Sequence, residues 1–373
     1  MKQLRYLDFS QIVMLFLVMC LSLILIASVT MDHFEQESKF FTPYVLKQLR
    51  WFILGWGIYV LVCLFDYHKL KDLAPILYGI VIVSLVGLFF MSPVRNVFRW
   101  YRLPFLGFDI QPSEVAKCIV VIMLAWFIDR NKARMHTFKN TSIALIIGLI
   151  PFVLILKQPD LGTALILLLM LFGMLSIAGA NRFILRSMVV VFCICFVFIA
   201  ALFLEIVPHS TIKPMATKIV KEYQFERLNP KTYHQKAALN AIGLGAFLGT
   251  GFRKSDFSTS GWLPTAHTDS VFCVLGEQFG LLGMYILIGL LYFLGYLGFR
   301  SASSANDYFG YLLGFGMILM IMLHGLLNIA MMCGVLPISG VPLVLVSYGG
   351  SQILVVMGSL GLVQSIFIRR FRF

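Results

Sequence analysis

The sequence predicts an all-α, polytopic integral membrane protein with about ten transmembrane helices and one long extracytoplasmic loop between the seventh and the eighth. Three observations carry that prediction. Of the 373 residues 60% are hydrophobic and only 13% charged, far from the usage of soluble globular domains. The apolar residues gather into runs near the ~20 residues that a bilayer-crossing helix needs. Lys and Arg fall in alternate short connections, the asymmetry that orients membrane proteins.

Ten runs can be traced, at about 10–29, 51–66, 73–91, 115–129, 142–156, 161–180, 186–207, 270–299, 308–333 and 339–366. The fourth and fifth are short and need their flanks to complete a crossing. The first is too long for a signal-peptide core and precedes no cleavage site and soluble domain, so it reads as a retained helix. An even count puts both ends of the chain on one side. That side carries Lys2 and Arg5, Lys69 and Lys71, Arg130, Lys132, Arg134 and Lys139, Arg182 and Arg186, and finally Arg369, Arg370 and Arg372. Both termini are therefore expected in the cytoplasm. Residues 1–373 read as a single transmembrane domain, with 208–268 as the long outer loop.

The net charge of +13 raises the question of a nucleic-acid partner. In a membrane chain the better readings are orientation, anionic lipid or an anionic substrate, and no nucleic acid is expected. The long loop holds Lys213, Lys218, Lys221, Arg227, Lys231, Lys236, Arg253 and Lys254, and a shorter outer loop adds Arg95, Arg99 and Arg102. These are either ordinary solvated surface or a basic platform for an anionic group. All seven cysteines lie in apolar runs without ligand spacing, so they read as small packing residues rather than disulfide or zinc positions.

Four motifs stand at predicted helix ends on the outer side. In "QPSEVAKC" (111–118), Pro112 suits a first helical turn, and Glu114 and Lys117 share one face. The pair either satisfies itself so that both charges can enter the membrane, or works there. In "LKQPDLGTA" (156–164), Lys157 and Asp160 flank Pro159 in a tight turn between two helices. "GWLPTAHTD" (261–269) brings Asp269 to the start of a helix, where an Asp is often only a cap. Glu277 lies deeper in the same helix and is harder to explain that way. "GVLPISGVPLVLVSYGGSQ" (334–352) would break any helix, and broken backbone at membrane depth is tolerated where it lines a cavity or is buried in protein. Ser347, Tyr348 and Ser351 would give such a cavity hydroxyls. "AIGLGAFLGTGF" contains G-x-G without a βαβ context, so close backbone packing is its expected use. His267 has no second His or Cys nearby to complete a metal site.

Taken together and in order, "QPSEVAK", "KQPDLGTA", "RLNPKTYHQKAALNAIGLG", "LPTAHTD" with "GEQFG", and "GVLPISGVPL…SYGGS" resemble the SEDS family (shape, elongation, division and sporulation) over nearly the whole chain. The wording of the last motif and the compact ends favour the elongation branch over the division branch. The resemblance implies a ten-helix peptidoglycan glycosyltransferase of the bacterial cytoplasmic (inner) membrane. Such enzymes polymerise lipid II at its outer face beside a class B penicillin-binding protein. It implies Asp269 as the catalytic residue and functional importance for Glu114 and Lys117. The chain departs from the family pattern at Thr265 (usually Glu), Ser270 (usually Phe) and Val344 (usually Pro).

The chemistry fits that expectation. Glycosyl transfer with inversion needs a base for the acceptor hydroxyl. A lipid pyrophosphate leaves readily, so it needs charge neutralisation rather than the second carboxylic acid of a glycosidase. Asp269 would be the base. Lys117 with Arg95, Arg99, Arg102 and Arg227 would hold pyrophosphate, and Glu114, Asp160, His267, Ser347 and Tyr348 complete the substrate-binding candidates. A divalent cation, Mg²⁺ or Mn²⁺, is compatible with this set, although no cage of ligands is evident. The rivals are a lipid II transporter, which would want its charges near the midplane, and a scaffold in which Asp269 merely caps a helix.

Overall fold

The computed structural model describes residues 7–31, 40–91, 99–103, 108–203, 206, 229 and 232–371. Helices α1 (Phe9–Thr30), α2 (Pro43–Leu64) and α3 (Leu70–Gly87) cross the molecule in turn. A small antiparallel hairpin follows, β1 (Tyr101–Leu103) with β2 (Phe108–Ile110), pairing Tyr101 with Ile110. Then come α4 (Pro112–Arg130), α5 (Phe138–Lys157), α6 (Leu161–Ile177) and α7 (Arg182–Phe203), the short α8 (Tyr233–Leu244) and α9 (Asp256–Thr259), and finally α10 (Val271–Ser303), α11 (Tyr308–Met332) and α12 (Gly350–Ile368). Each of the ten expected runs has its helix.

Among the described residues, eight helices are long and apolar enough to cross a membrane, and α6 is a shorter apolar one. The remaining run, α4, carries Glu114, Lys117, Asp129 and Arg130 within its length. Two starts differ from the hydropathy reading. α2 begins at Pro43 rather than near 51, because Thr42 accepts from the Val45 amide as a cap and Pro43 needs no donor. α12 begins only at Gly350, because residues 339–349 form a non-helical bend through Gly340 and Pro342.

The start of α1 and the end of α12 meet the α10–α11 connection at one end of the bundle, the termini end, where Arg300 donates to Asp8 and Asn306 to the Arg369 carbonyl at 2.5 and 3.2 Å; the other end holds the hairpin, α8 and α9. At the termini end, Tyr67 donates to Asp307 at 2.6 Å, and Lys71 pairs with both Asp129 and Asp307 at 3.1 Å. Arg369 is buried and donates to the Cys63 and Leu64 carbonyls at 3.2 and 2.7 Å. Two of the basic residues that mark this end therefore also lock α2, α3, α4, α11 and α12 together. The centre packs by close approach, as lipid-embedded helices do. At Gly361 in α12, a Cβ would fall 2.7 Å from the Tyr59 carbonyl of α2. α7 is the exception. Only Ile184 and Leu202 are buried along it, and Cys193 and Cys195 point outward rather than into packing as expected.

α10 is broken at Gly280, whose backbone (φ 63°, ψ −161°) lies where a side chain is excluded. In a low-dielectric interior the freed backbone groups need partners. The glycine-rich strap after α8 supplies them. Leu281 and Leu282 donate to the Ala246 and Phe247 carbonyls at 3.0 and 3.3 Å, while Thr250 and Gly251 donate to the Glu277 and Gln278 carbonyls at 2.9 and 3.0 Å. "AIGLGAFLGTGF" is thus a backbone splint, and the close packing read from its glycines is what it does.

Candidate active site at the loop end

The turn that delivers Asp269 is built on the Thr265 carbonyl, which accepts from the amides of Thr268 and Ser270 at 3.0 and 3.3 Å. Ser270 occupies the N-cap position of α10, one residue past Asp269. Its hydroxyl donates to the Pro264 carbonyl at 2.9 Å and lies 2.9 Å from His234 Nε2 on α8. A Phe at this position could make neither contact, so Ser270 adds a tie between α8 and the turn.

Three consecutive carbonyls then receive three donors from the last third of the chain. The Tyr348 amide donates to His267 at 2.9 Å, the Ser347 hydroxyl to Thr268, and the Asn328 side-chain amide to Asp269 at 2.9 Å. Asn328 also donates to the Val341 carbonyl at 2.7 Å, and Ser347 Oγ accepts from the Leu343 amide at 2.7 Å. The 336–349 bend and the His-Thr-Asp turn are therefore one unit. Gly340, at φ +81°, brings bare backbone up to the carboxylate: a Cβ there would lie 3.5 Å from Asp269 Oδ2. Asp269 itself is half-buried.

Below this unit lies a buried polar chain. Lys117 donates to Glu114 Oε1 at 2.9 Å, both side chains being almost wholly enclosed. Lys117 Nζ also stands 3.1 Å from His324 Nδ1. The other ring nitrogen, Nε2, lies 3.4 Å from the Gln352 side-chain nitrogen, which also donates to the Pro342 carbonyl at 3.4 Å. His324 and Asn328 are one turn apart on α11, so a single helix face joins the Glu114–Lys117 pair to the Asp269 turn.

The other candidates serve mainly as ties. Asp160 caps α6 through the Thr163 amide at 3.4 Å and accepts from Gln111 and Ser113 at 2.9 and 3.3 Å, joining the "KQPD" and "QPSE" motifs. Arg99 donates to the Gln158 carbonyl at 3.2 Å and to that of Pro159. Arg102 lies in β1, with its side chain outside the described residues, as Arg95 and Arg227 are entirely. Glu277 accepts from the Phe257 and Ser258 amides at 3.0 Å each, so it anchors the loop over α10. Trp262 is exposed, while Leu263 beside it is buried. Burial holds the His267 pKa below the ordinary histidine value, so the ring is neutral at pH 7. Among the described residues no cluster of three or more His, Cys, Asp or Glu could hold a metal ion.

His324, Asn328 and Gln352 were not singled out from sequence. The signal was present in "MLHGLLNIAMM": a His and an Asn four apart in an otherwise apolar helix need partners in the bundle.

Fold and site together define a polytopic integral membrane protein with a carboxylate-bearing polar site at one end of its bundle. The chain belongs to the FtsW/RodA/SpoVE family of cell cycle proteins, whose family model matches residues 8–370. It is 34% identical over 328 residues to the peptidoglycan glycosyltransferase MrdB of Escherichia coli K12, covering 85% of this chain and 84% of that one. Its fold matches a solved structure of a peptidoglycan synthase complex that coordinates polymerization and crosslinking, with TM-score 0.77, 23% identity, and 98% and 99% of the two chains covered. It also matches the crystal structure of the Thermus thermophilus rod shape determining protein RodA, with TM-score 0.71, 21% identity and 98% of each chain covered.

Proposed function

We propose that this protein is a peptidoglycan glycosyltransferase that polymerises lipid II at the outer face of the bacterial inner membrane during cell elongation. The observation that carries the reading is the Asp269 carboxylate, set at the loop end of the bundle on a turn whose three carbonyls are each held in place. The family and the named E. coli relative give the class of reaction. The "GVLPISGVPL" wording favours elongation over an FtsW-like division duty.

In the step itself, Asp269 takes the proton of the acceptor hydroxyl as its oxygen bonds to the donor's anomeric carbon. The bond from that carbon to the pyrophosphate oxygen breaks, and undecaprenyl pyrophosphate leaves with the electron pair, inverting the centre. Lys117 is engaged by Glu114 and His324 rather than turned outward, so it acts by fixing α4 against α11 and by its positive field. Arg95, Arg102 and Arg227 of the outer loops would receive the pyrophosphate, with Arg99, which donates to the Gln158 and Pro159 carbonyls, adding positive charge nearby. A single half-buried carboxylate suits Mg²⁺ or Mn²⁺, which binds through one or two carboxylates plus substrate phosphate; Asp269 would hold it, and it would neutralise pyrophosphate charge.

In this reading both termini are cytoplasmic, which the basic connections on their side support. The partner is a class B penicillin-binding protein that cross-links the new strand. That reading is supported by the likeness to a complex coordinating polymerization and crosslinking. The test is glycan synthesis from fluorescent lipid II by the purified protein with such a partner and Mg²⁺. Long ladders on a gel are expected. Unchanged lipid II beside an active control polymerase would refute the reading and bring transport forward.

A further inference from the structure

Three aromatic rings meet beside Asp269, and the reaction step leaves them unused. Tyr44, in the first turn of α2, lies 5.0 Å from His267 and 5.5 Å from Tyr348, and His267 lies 6.0 Å from Tyr348, all centroid to centroid. We infer that Tyr44, His267 and Tyr348 form a stacking platform for a pyranose ring of the polymerised substrate. The inference rests on the glycosyltransferase reading and adds to it a sugar subsite and a residue, Tyr44, from outside its motifs.

The platform is built rather than incidental. Tyr348 is fixed through its amide to the His267 carbonyl at 2.9 Å, and packs its ring against the buried cluster of Ile26, Ala27, Met31 and Val45. Tyr44 follows directly on the Thr42 cap and Pro43, which set the entry of α2. Tyr44 is 43% exposed. His267 is two residues before Asp269 on the same clamped turn, so the platform and the base share one rigid piece of backbone. A tyrosine at a membrane interface is ordinary by itself. An interfacial belt does not account for its contact with the His of the His-Thr-Asp turn.

The chemistry selects a sugar. Aromatic faces carry negative charge density, and the C–H groups on the flat side of a pyranose, polarised by neighbouring oxygens, are positive. A cage for a cation would need the rings to surround a shared space. Here they pack on one another at 51°, 76° and 64°, which fills that space and leaves an outer surface. The neutral state of His267 keeps the surface uncharged.

The test uses the Asp269→Asn protein in nanodiscs, so that nothing turns over, and measures affinity for lipid II and for undecaprenyl pyrophosphate, which lacks the sugars. The parent is expected to prefer lipid II. Tyr44→Leu is expected to reduce that preference about fivefold, the size of an aromatic stacking contact, leave undecaprenyl pyrophosphate binding as it was, and be rescued by Tyr44→Phe. Should Tyr44→Leu not fold, His267→Gln removes a second ring while staying neutral and must reduce the preference alike. A full preference in a folded ring-less variant overturns the platform and leaves the glycosyltransferase reading intact. A parent with no preference for lipid II overturns both.

Discussion

The side-chain amide of Asn328 donates to the carbonyl of Asp269 at 2.9 Å and to that of Val341 at 2.7 Å. One fully buried residue thereby sets α11, the entry to α10 and the 336–349 bend relative to one another. Asn328→Leu would remove both of these hydrogen bonds, at about 1–3 kcal/mol each. Displacing a reacting group by ~1 Å can cost about 100-fold in rate. The expected outcome in steady-state lipid II polymerisation is that order of loss in kcat, with KM little changed. A loss confined to KM would mean that Asn328 serves binding instead.

The Glu114–Lys117 pair makes a prediction that separates structure from chemistry. Removing one partner strands a charge in the bundle and costs about 3–5 kcal/mol, whereas replacing both with neutral groups of similar size is often tolerated. Lys117→Met alone should lower the thermal unfolding temperature sharply. Glu114→Gln with Lys117→Met should recover most of it. Polymerisation should stay lost in the double variant, because its positive field is gone. Recovery of both would make the pair a packing device only.

Gly280 and Gly57 should answer oppositely to alanine. A Cβ at Gly280 would stand 2.5 Å from the Gly249 amide nitrogen and the Phe247 carbonyl oxygen, on a backbone reserved for glycine. Gly280→Ala should cost about 3 kcal/mol or more, read as loss of folded protein after detergent extraction. At Gly57, in α2, nothing lies within 4 Å of an added Cβ. Gly57→Ala should be neutral or stabilise by up to about 1 kcal/mol.

For pH, the sign follows from His267. Its folded pKa is depressed by burial, so between that value and its ordinary value of 6.5 the unfolded chain binds more protons than the folded one. Stability from this group is complete above pH 6.5 and is lost as pH falls towards the folded value. His267→Gln should flatten the decline of melting temperature from pH 7 to pH 5. An unaltered slope would mean that the ring is not held neutral by its site.

The helices of the apolar runs were legible because lipid demands long apolar stretches, and the motif positions were legible because charges in such runs stand out. What could not be read was contact. His324 and Lys117 are 207 residues apart, and only the packing of α11 on α4 makes them neighbours. Lys157 and Asp160 read only as flanking a tight turn, whereas Asp160 is a cap bonded to Gln111 and Ser113, a pairing that depends on where the α4 and α6 ends meet. Helix starts failed where capping overrides hydropathy: Thr42 and Pro43 carry α2 upstream through Lys47, Gln48 and Arg50. Glu277 seemed too deep to be a cap, and it does serve as one, for α9 rather than for its own helix.

The central claim is that Asp269 performs chemistry. Its most direct test is lipid II polymerisation by the purified protein with a class B penicillin-binding partner and Mg²⁺, comparing the native chain with Asp269→Asn. Asn caps a helix as well as Asp does but cannot take the acceptor proton. The account predicts glycan ladders from the native chain and none from a folded Asp269→Asn protein. Equal ladders from both would contradict it and leave Asp269 as part of the turn's architecture.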